Sequence, residues 1–107
     1  MKKIMLVCSA GMSTSLLVTK MEQAAEKVGD EVEIFALPMS DGINRLSTVD
    51  CVLLGPQVRF NLGKIKEEAA KVNPGLPVDV IDMKDYGMMN GEKVLKSAIK
   101  LIKSNKK

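Results

Sequence analysis

The chain has 107 residues, 46% hydrophobic and 27% charged, which suits one hydrophobic core and leaves no room for a second domain. It contains no histidine, which excludes Ser-His-Asp and Cys-His catalysis, His-ligated metal sites, a phosphohistidine carrier and a histidine pH switch. Its net charge of +3 divides into six lysines and no acid in residues 93–107 against 10 basic and 13 acidic residues in 1–92, so the body is mildly acidic and nucleic acid is not an expected partner.

In chain order, Lys3-Ile-Met-Leu-Val-Cys8 is a short apolar run followed at once by small residues, the pattern of a strand buried on both faces. From about Ser13, Leu17, Met21, Ala24 and Val28 recur at helical spacing opposite Lys20, Glu22, Glu26 and Lys27, and Gly29 supplies a stop. Glu31–Leu37 begins with strict alternation of charged and apolar residues, which places a second strand at a sheet edge, ended by Pro38. Ile43 and Leu46 hint at a short helix behind a cap at Ser40, against the breakers Gly42 and Asn44; no role is assigned to residues 39–48. Asp50–Leu54 is a third, fully apolar strand broken by Gly55-Pro56, and Leu62, Ile65, Ala69 and Val72 define a helix that stops before Asn73-Pro74-Gly75. Val78–Ile81 is the last strand. The final helix runs from about Asn90 to Ser104 on Val94, Leu95, Ala98, Leu101 and Ile102, its lysines forming a solvated face, with a flexible tail over about 104–107.

Strands alternating with helices imply an α/β fold: a single-domain, four-stranded parallel sheet with helices on both faces and right-handed crossovers. The two all-apolar strands belong in the centre, giving the order 2-1-3-4, a flavodoxin-like arrangement. Its switch point lies between the first and third strands, so a ligand site is expected beyond their carboxyl ends, at Cys8 and Gly55.

Cys8 opens that site. Ser9, Ala10, Gly11, Met12, Ser13, Thr14 and Ser15 are small or uncharged, and backbone N–H groups, hydroxyls and a helix N-terminus can converge there on a phosphate. Such surroundings lower a cysteine pKa and make a nucleophile, whereas Cys51, inside a central strand, is expected to be an inert small hydrophobe. Cysteines in apolar runs fit a reducing cytosol better than a secreted disulfide scaffold. No apolar run reaches the roughly 18 residues of a membrane span, and Met1–Cys8 is too short for a signal-peptide core with a cleavage site, so no direct membrane insertion is expected.

Three phosphate loops compete for this position. The Gly-Lys-Ser/Thr of a P-loop is absent, and Leu54-Gly55 stands where a receiver domain needs an aspartate. A phosphatase-like cysteine loop (Cys, five residues, Arg, then Ser or Thr) matches in Cys8, length and Ser15, but Thr14 replaces the arginine that would clamp the phosphoryl oxygens. Without that guanidinium or an obvious acid in the loop, a cysteinyl phosphate hydrolyses slowly, and the thiol becomes a carrier.

Cys8-Ser-Ala-Gly-Met-Ser-Thr-Ser15, Leu53-Leu-Gly-Pro-Gln57 and Tyr86-Gly87 resemble the IIB component of the bacterial phosphoenolpyruvate-dependent sugar phosphotransferase system, in its lactose, cellobiose and chitobiose class. The resemblance covers nearly the whole chain. It implies a cytoplasmic phosphotransferase subunit whose Cys8 takes a phosphoryl group from a IIA phosphohistidine and passes it to a sugar entering through the membrane permease IIC. It also implies no cofactor or metal, and attachment to the inner face of the membrane only through IIC. Two other readings remain at this point: a low-molecular-weight thiol phosphatase, which Thr14 argues against, and a flavin mononucleotide binding module, which the absence of aromatic residues near Cys8 argues against.

Around the cysteine, Gln57 can hydrogen-bond a phosphoryl oxygen and Arg59 can attract the anion, or they form an ordinary surface turn. Tyr86 can close the rim, or pack beneath its own loop. Met12, Met88 and Met89 offer a soft docking surface, while Met5 and Met21 belong to the core. Transfer between two partners calls for an exposed thiol and small, transient interfaces.

Overall fold

The computed structural model describes residues 2–8, 12–29 and 31–105, with side chains throughout these except at 12–14 and 105. The elements are β1 (Lys2–Cys8), α1 (Met12–Val28), β2 (Val32–Pro38), α2 (Met39–Ile43), β3 (Cys51–Leu54), α3 (Leu62–Val72), β4 (Val78–Val80), α4 (Met83–Gly87) and α5 (Gly91–Asn105), with 3-10 turns at Leu46–Thr48 and Pro56–Asn61. The strands are parallel in the order β2-β1-β3-β4, so the two apolar runs do occupy the centre.

The period of two along a strand sorts the apolar side chains between the faces. Ile4, Leu6, Cys51 and Leu53 pack with Leu17 and Met21 of α1 and Val94, Leu95 and Ala98 of α5. Met5, Val7, Val52 and Leu54 pack on the other face with Leu46, Ile65 and Ala69, from the 3-10 turn and α3. Helices therefore cover both faces. Each fully buried side chain of this size contributes about 1.5–3 kcal/mol, which is why continuous apolar runs can occupy central strands.

Local differences from the sequence reading have physical causes. The short helix after β2 starts one residue before Ser40, with Pro38 at its N-cap and no side-chain cap bond, so Ser40 is not the cap. Gly42, which argued against a helix, is buried in it, because a Cβ there would stand 3.0 Å from Val7 Cγ2. Helix α4 was not anticipated: Asp82 caps it, accepting from the N–H of Lys84 at 2.8 Å and of Asp85 at 3.3 Å. Val28 and Val72, assigned to buried helix faces, are exposed at the last turns of α1 and α3. The final helix extends to Asn105, past the expected start of a tail; Lys106 and Lys107 lie outside the described residues.

Candidate functional site

The site is assembled by the carboxyl ends of β1 and β3. Parallel pairing brings Cys8 beside Pro38 on one flank, and the Gly55 N–H donates to the Val7 carbonyl at 2.8 Å on the other. Cys8 follows Ile4 and Leu6 in the same alternation, so its thiol belongs to the face covered by α1, and α1 begins four residues further on. A 17-residue helix directs its N-terminus, and with it about half a positive charge, toward this end of the sheet.

Cys8 is only 3% exposed, unlike the open thiol the sequence led us to expect. Its burial follows from its place as the last β1 residue, between neighbouring strand ends and on a helix-covered face. Ser9, Ala10 and Gly11 of the expected cradle lie outside the described residues. Met12, Ser13, Thr14 and Ser15 form the first turn of α1 rather than a loop, and of the last three only Ser15 has a described side chain, which is exposed. Thr19 Oγ1 donates to the Ser15 carbonyl at 3.2 Å.

Gly55 lies against the flexible end of the Gln57 side chain and in ordinary contact with the end of β1. A Cβ there would meet Gln57 Oε1 at 2.9 Å, the Val7 carbonyl oxygen at 3.6 Å and Cys8 Cβ at 3.7 Å. The side-chain amide of the exposed Gln57 thus reaches back over Gly55. Arg59 is exposed, and its Nη1 donates to the Pro56 carbonyl at 2.9 Å, which ties the guanidinium to its own turn. Of the two readings of Tyr86, its burial agrees with packing: the residue is 8% exposed and belongs to the core cluster with Leu6 and Leu17.

Apolar side chains surround this end of the sheet. Phe60, on the 3-10 turn after β3, is 80% exposed, and Leu16, Met83 and Met88 are exposed on α1, at the start of α4 and just after it. Of the methionines assigned to docking, Met88 is exposed, Met89 is half-buried with φ 52°, and the Met12 side chain lies outside the described ones. Sequence reading missed Phe60 and Met83, although an aromatic residue inside the polar segment Gln57–Asn61 was a visible signal.

Cys51 behaves as expected. It is fully buried, and burial, with added repulsion from Asp79 and Asp50, pushes its thiol up to about 12. It is therefore neutral and unreactive near neutral pH. Among the described residues no group of three or more His, Cys, Asp and Glu side chains could hold a metal ion, and no helix is long and apolar enough to cross a membrane.

Residues 3–97 match the family described as "PTS system, Lactose/Cellobiose specific IIB subunit". The chain is 45% identical over 102 residues to the PTS system oligo-beta-mannoside-specific EIIB component of Bacillus subtilis, covering 95% of this chain and 97% of that one. It is 49% identical over 106 residues to the galactose-specific EIIB component of Lactococcus lactis subsp. cremoris, covering 94% and 96%. The cellobiose-specific EIIB component of Lactococcus lactis subsp. lactis also matches at 49% over 106 residues, with the same coverage. Among solved structures, the cellobiose-specific phosphotransferase IIB component protein from Borrelia burgdorferi superposes with a TM-score of 0.80 at 39% identity, covering 97% of this chain and 94% of that one. The lactose-specific IIB component domain from Streptococcus pneumoniae gives a TM-score of 0.82 at 17% identity, covering 92% and 95%, a likeness of fold.

Proposed function

The chain belongs to the lactose/cellobiose-specific IIB family of the phosphotransferase system, and on that premise we propose that it is a phosphotransferase subunit whose Cys8 carries the phosphoryl group. The thiolate attacks phosphorus in a phosphohistidine of a IIA protein; the P–N bond breaks as the S–P bond forms. A sugar hydroxyl then displaces the thiolate, forming an O–P bond and giving up its proton, as the sugar enters through a IIC permease. Nucleophilic attack of this kind splits one transfer into two in-line displacements.

One observation carries the reading. The thiol of Cys8 ends a central strand at the topological switch point, on the face of α1, four residues before that helix begins. Residues 9–15 serve as the phosphate cradle, with Gln57 beside it and Arg59 drawing the anion toward the site. Thr14, in place of a clamping arginine, favours holding the phosphoryl group over hydrolysing it. The chain needs no histidine because the donor supplies it. The exposed Leu16, Phe60, Met83 and Met88 provide small apolar contacts for partners that dock and leave. The protein then works in the cytoplasm and meets the inner face of the membrane only through IIC.

Three relatives named for oligo-beta-mannosides, galactose and cellobiose resemble this chain at 45% to 49% identity. Such even likeness fits a subunit that handles the phosphoryl group and leaves choice of sugar to the permease. Intact-protein mass spectrometry after incubation with a phosphorylated IIA protein tests the assignment. One phosphoryl group should appear on the wild type and on Cys51→Ser, and none on Cys8→Ser; labelled Cys8→Ser, or steady release of inorganic phosphate, would refute it.

A further inference from the structure

A groove of about 580 Å³ runs between α1 and α5, away from Cys8. The helices are locked where Gly91 meets the backbone of Lys20 and Met21, and the groove is lined by residues downstream of that contact in both helices. Its floor is apolar: Ala24 and Val28 from α1, Leu95 and Ile99 from α5. Val28 is 65% exposed although it continues the buried stripe of Leu17 and Met21, so α1 presents an apolar side chain there with nothing of this chain covering it among the described residues. Its rim is cationic. Lys96, Lys100 and Lys103 stand along one side, one or two turns apart on α5. Only Lys96 is neutralised, by Glu92 at 3.2 Å; Lys100 and Lys103 have no ion pair among the described residues.

We propose that this groove receives an acidic amphipathic helix of another protein. The rim lysines fix the sign of the occupant, because Lys100 and Lys103 stand beside the apolar floor and residues 93–107 hold six lysines and no acid. A concave apolar floor between two helices takes the ridge of a third, with anchors at i, i+3, i+4 and i+7, and the lysine row at the same helical spacing meets glutamates or aspartates beside those anchors. A membrane surface would instead need protruding apolar side chains flanked by lysines. This docking site is separate from the end of the sheet where Cys8 lies, so a helix can stay bound while phosphoryl partners exchange.

The test uses the full chain, labelled with ¹⁵N, and a synthetic amphipathic 18-residue helix with leucines on one face and glutamates on the other. Amide shifts should change at 24–28 and 92–104 and stay unchanged around Gly55–Phe60. Lys100→Glu/Lys103→Glu, two exposed substitutions that leave the core intact, should weaken the acidic peptide about tenfold and strengthen a lysine counterpart of it. The proposal is overturned if the peptide does not bind at millimolar concentration or if the double charge reversal leaves its affinity unchanged. It is equally overturned if the same residues respond to phosphatidylglycerol vesicles but not to the peptide, or to self-association of the chain.

Discussion

Gly91 opens α5 against the middle of α1, where a Cβ would stand 2.4 Å from the Lys20 carbonyl carbon and 2.5 Å from the Met21 nitrogen. Both are backbone atoms of a packed helix, so no side-chain rotation relieves the contact. In Gly91→Ala the start of α5 must retreat by about 1 Å to regain ordinary contact distance, loosening Val94 and Leu95 from Leu17 and Met21. Overpacking of this kind costs about 1–3 kcal/mol, and the better helix propensity of alanine returns at most about 1 kcal/mol. We expect a net loss of about 1 kcal/mol, or about 5 °C in Tm for a chain of this size. Gly63, near the start of α3, is the internal control, since a Cβ there meets nothing within 4 Å. Gly63→Ala should gain about 0.5 kcal/mol from propensity alone. Urea and thermal melts of the two variants decide the matter. If Gly91→Ala equals the wild type, or if both variants shift the same way, close helix contact is not what requires a glycine at 91.

Asn73 Nδ2 donates to the carbonyls of Leu46 at 3.0 Å and Val49 at 3.1 Å, tying the end of α3 to the segment before β3. Asn73→Ala should cost about 2 kcal/mol by urea melts, and Asn73→Asp should be no better because a carboxylate only accepts; a loss under about 0.5 kcal/mol would count against the bridge. Asp82→Ala should cost about 1 kcal/mol and speed amide exchange at Lys84 and Asp85, with Asp82→Asn close to wild type; equal losses in the two variants would deny the cap. The Cys51 thiol rises from 9.0 to about 12 on folding, so between those values the unfolded chain has lost a proton that the folded chain keeps. The contribution is complete below pH 9 and falls by about 1.4 kcal/mol per pH unit above it. The stability difference between wild type and Cys51→Ala should shrink with that slope from pH 9 to 10; parallel profiles would refute it.

The parts of the fold that could be read from the sequence are those set by apolar periodicity. Unbroken runs at Ile4–Cys8 and Cys51–Leu54 signalled strands buried on both faces, and that alone fixed the sheet order and the position of Cys8. What could not be read depends on contacts between distant residues. Gly42 reads as a helix breaker until Val7 is seen against it, and the choice between rim and packing for Tyr86 waits on the core cluster that holds it. Val28 continues the period of α1, but periodicity cannot say that a groove separates it from the facing helix α5. The α4 cap, by contrast, was readable: Asp82 preceding Lys84 and Asp85 is an N-cap pattern, hidden because the helix is only five residues long and has no apolar stripe.

The two thiols show how strand register assigns chemistry to identical side chains. Cys51 pairs with Ile4, four residues before Cys8 along β1, so the two Cα atoms are separated by about 13 Å along the strand direction alone. A disulfide needs Cα atoms within about 7 Å, so these cysteines cannot bridge or act as a redox pair in the folded chain. Both are free. At the first position of β3, Cys51 is fully buried beside Ile4 of β1, with two aspartates near enough to disfavour its thiolate, which leaves it a volume-filling core residue. Cys8, at the strand's end, stands four residues before a long helix that lies on its own face. In a chain without histidine, a proposed phosphoryl acceptor has to be a side chain that the sheet delivers to its carboxyl edge, and of the two cysteines only Cys8 meets that condition.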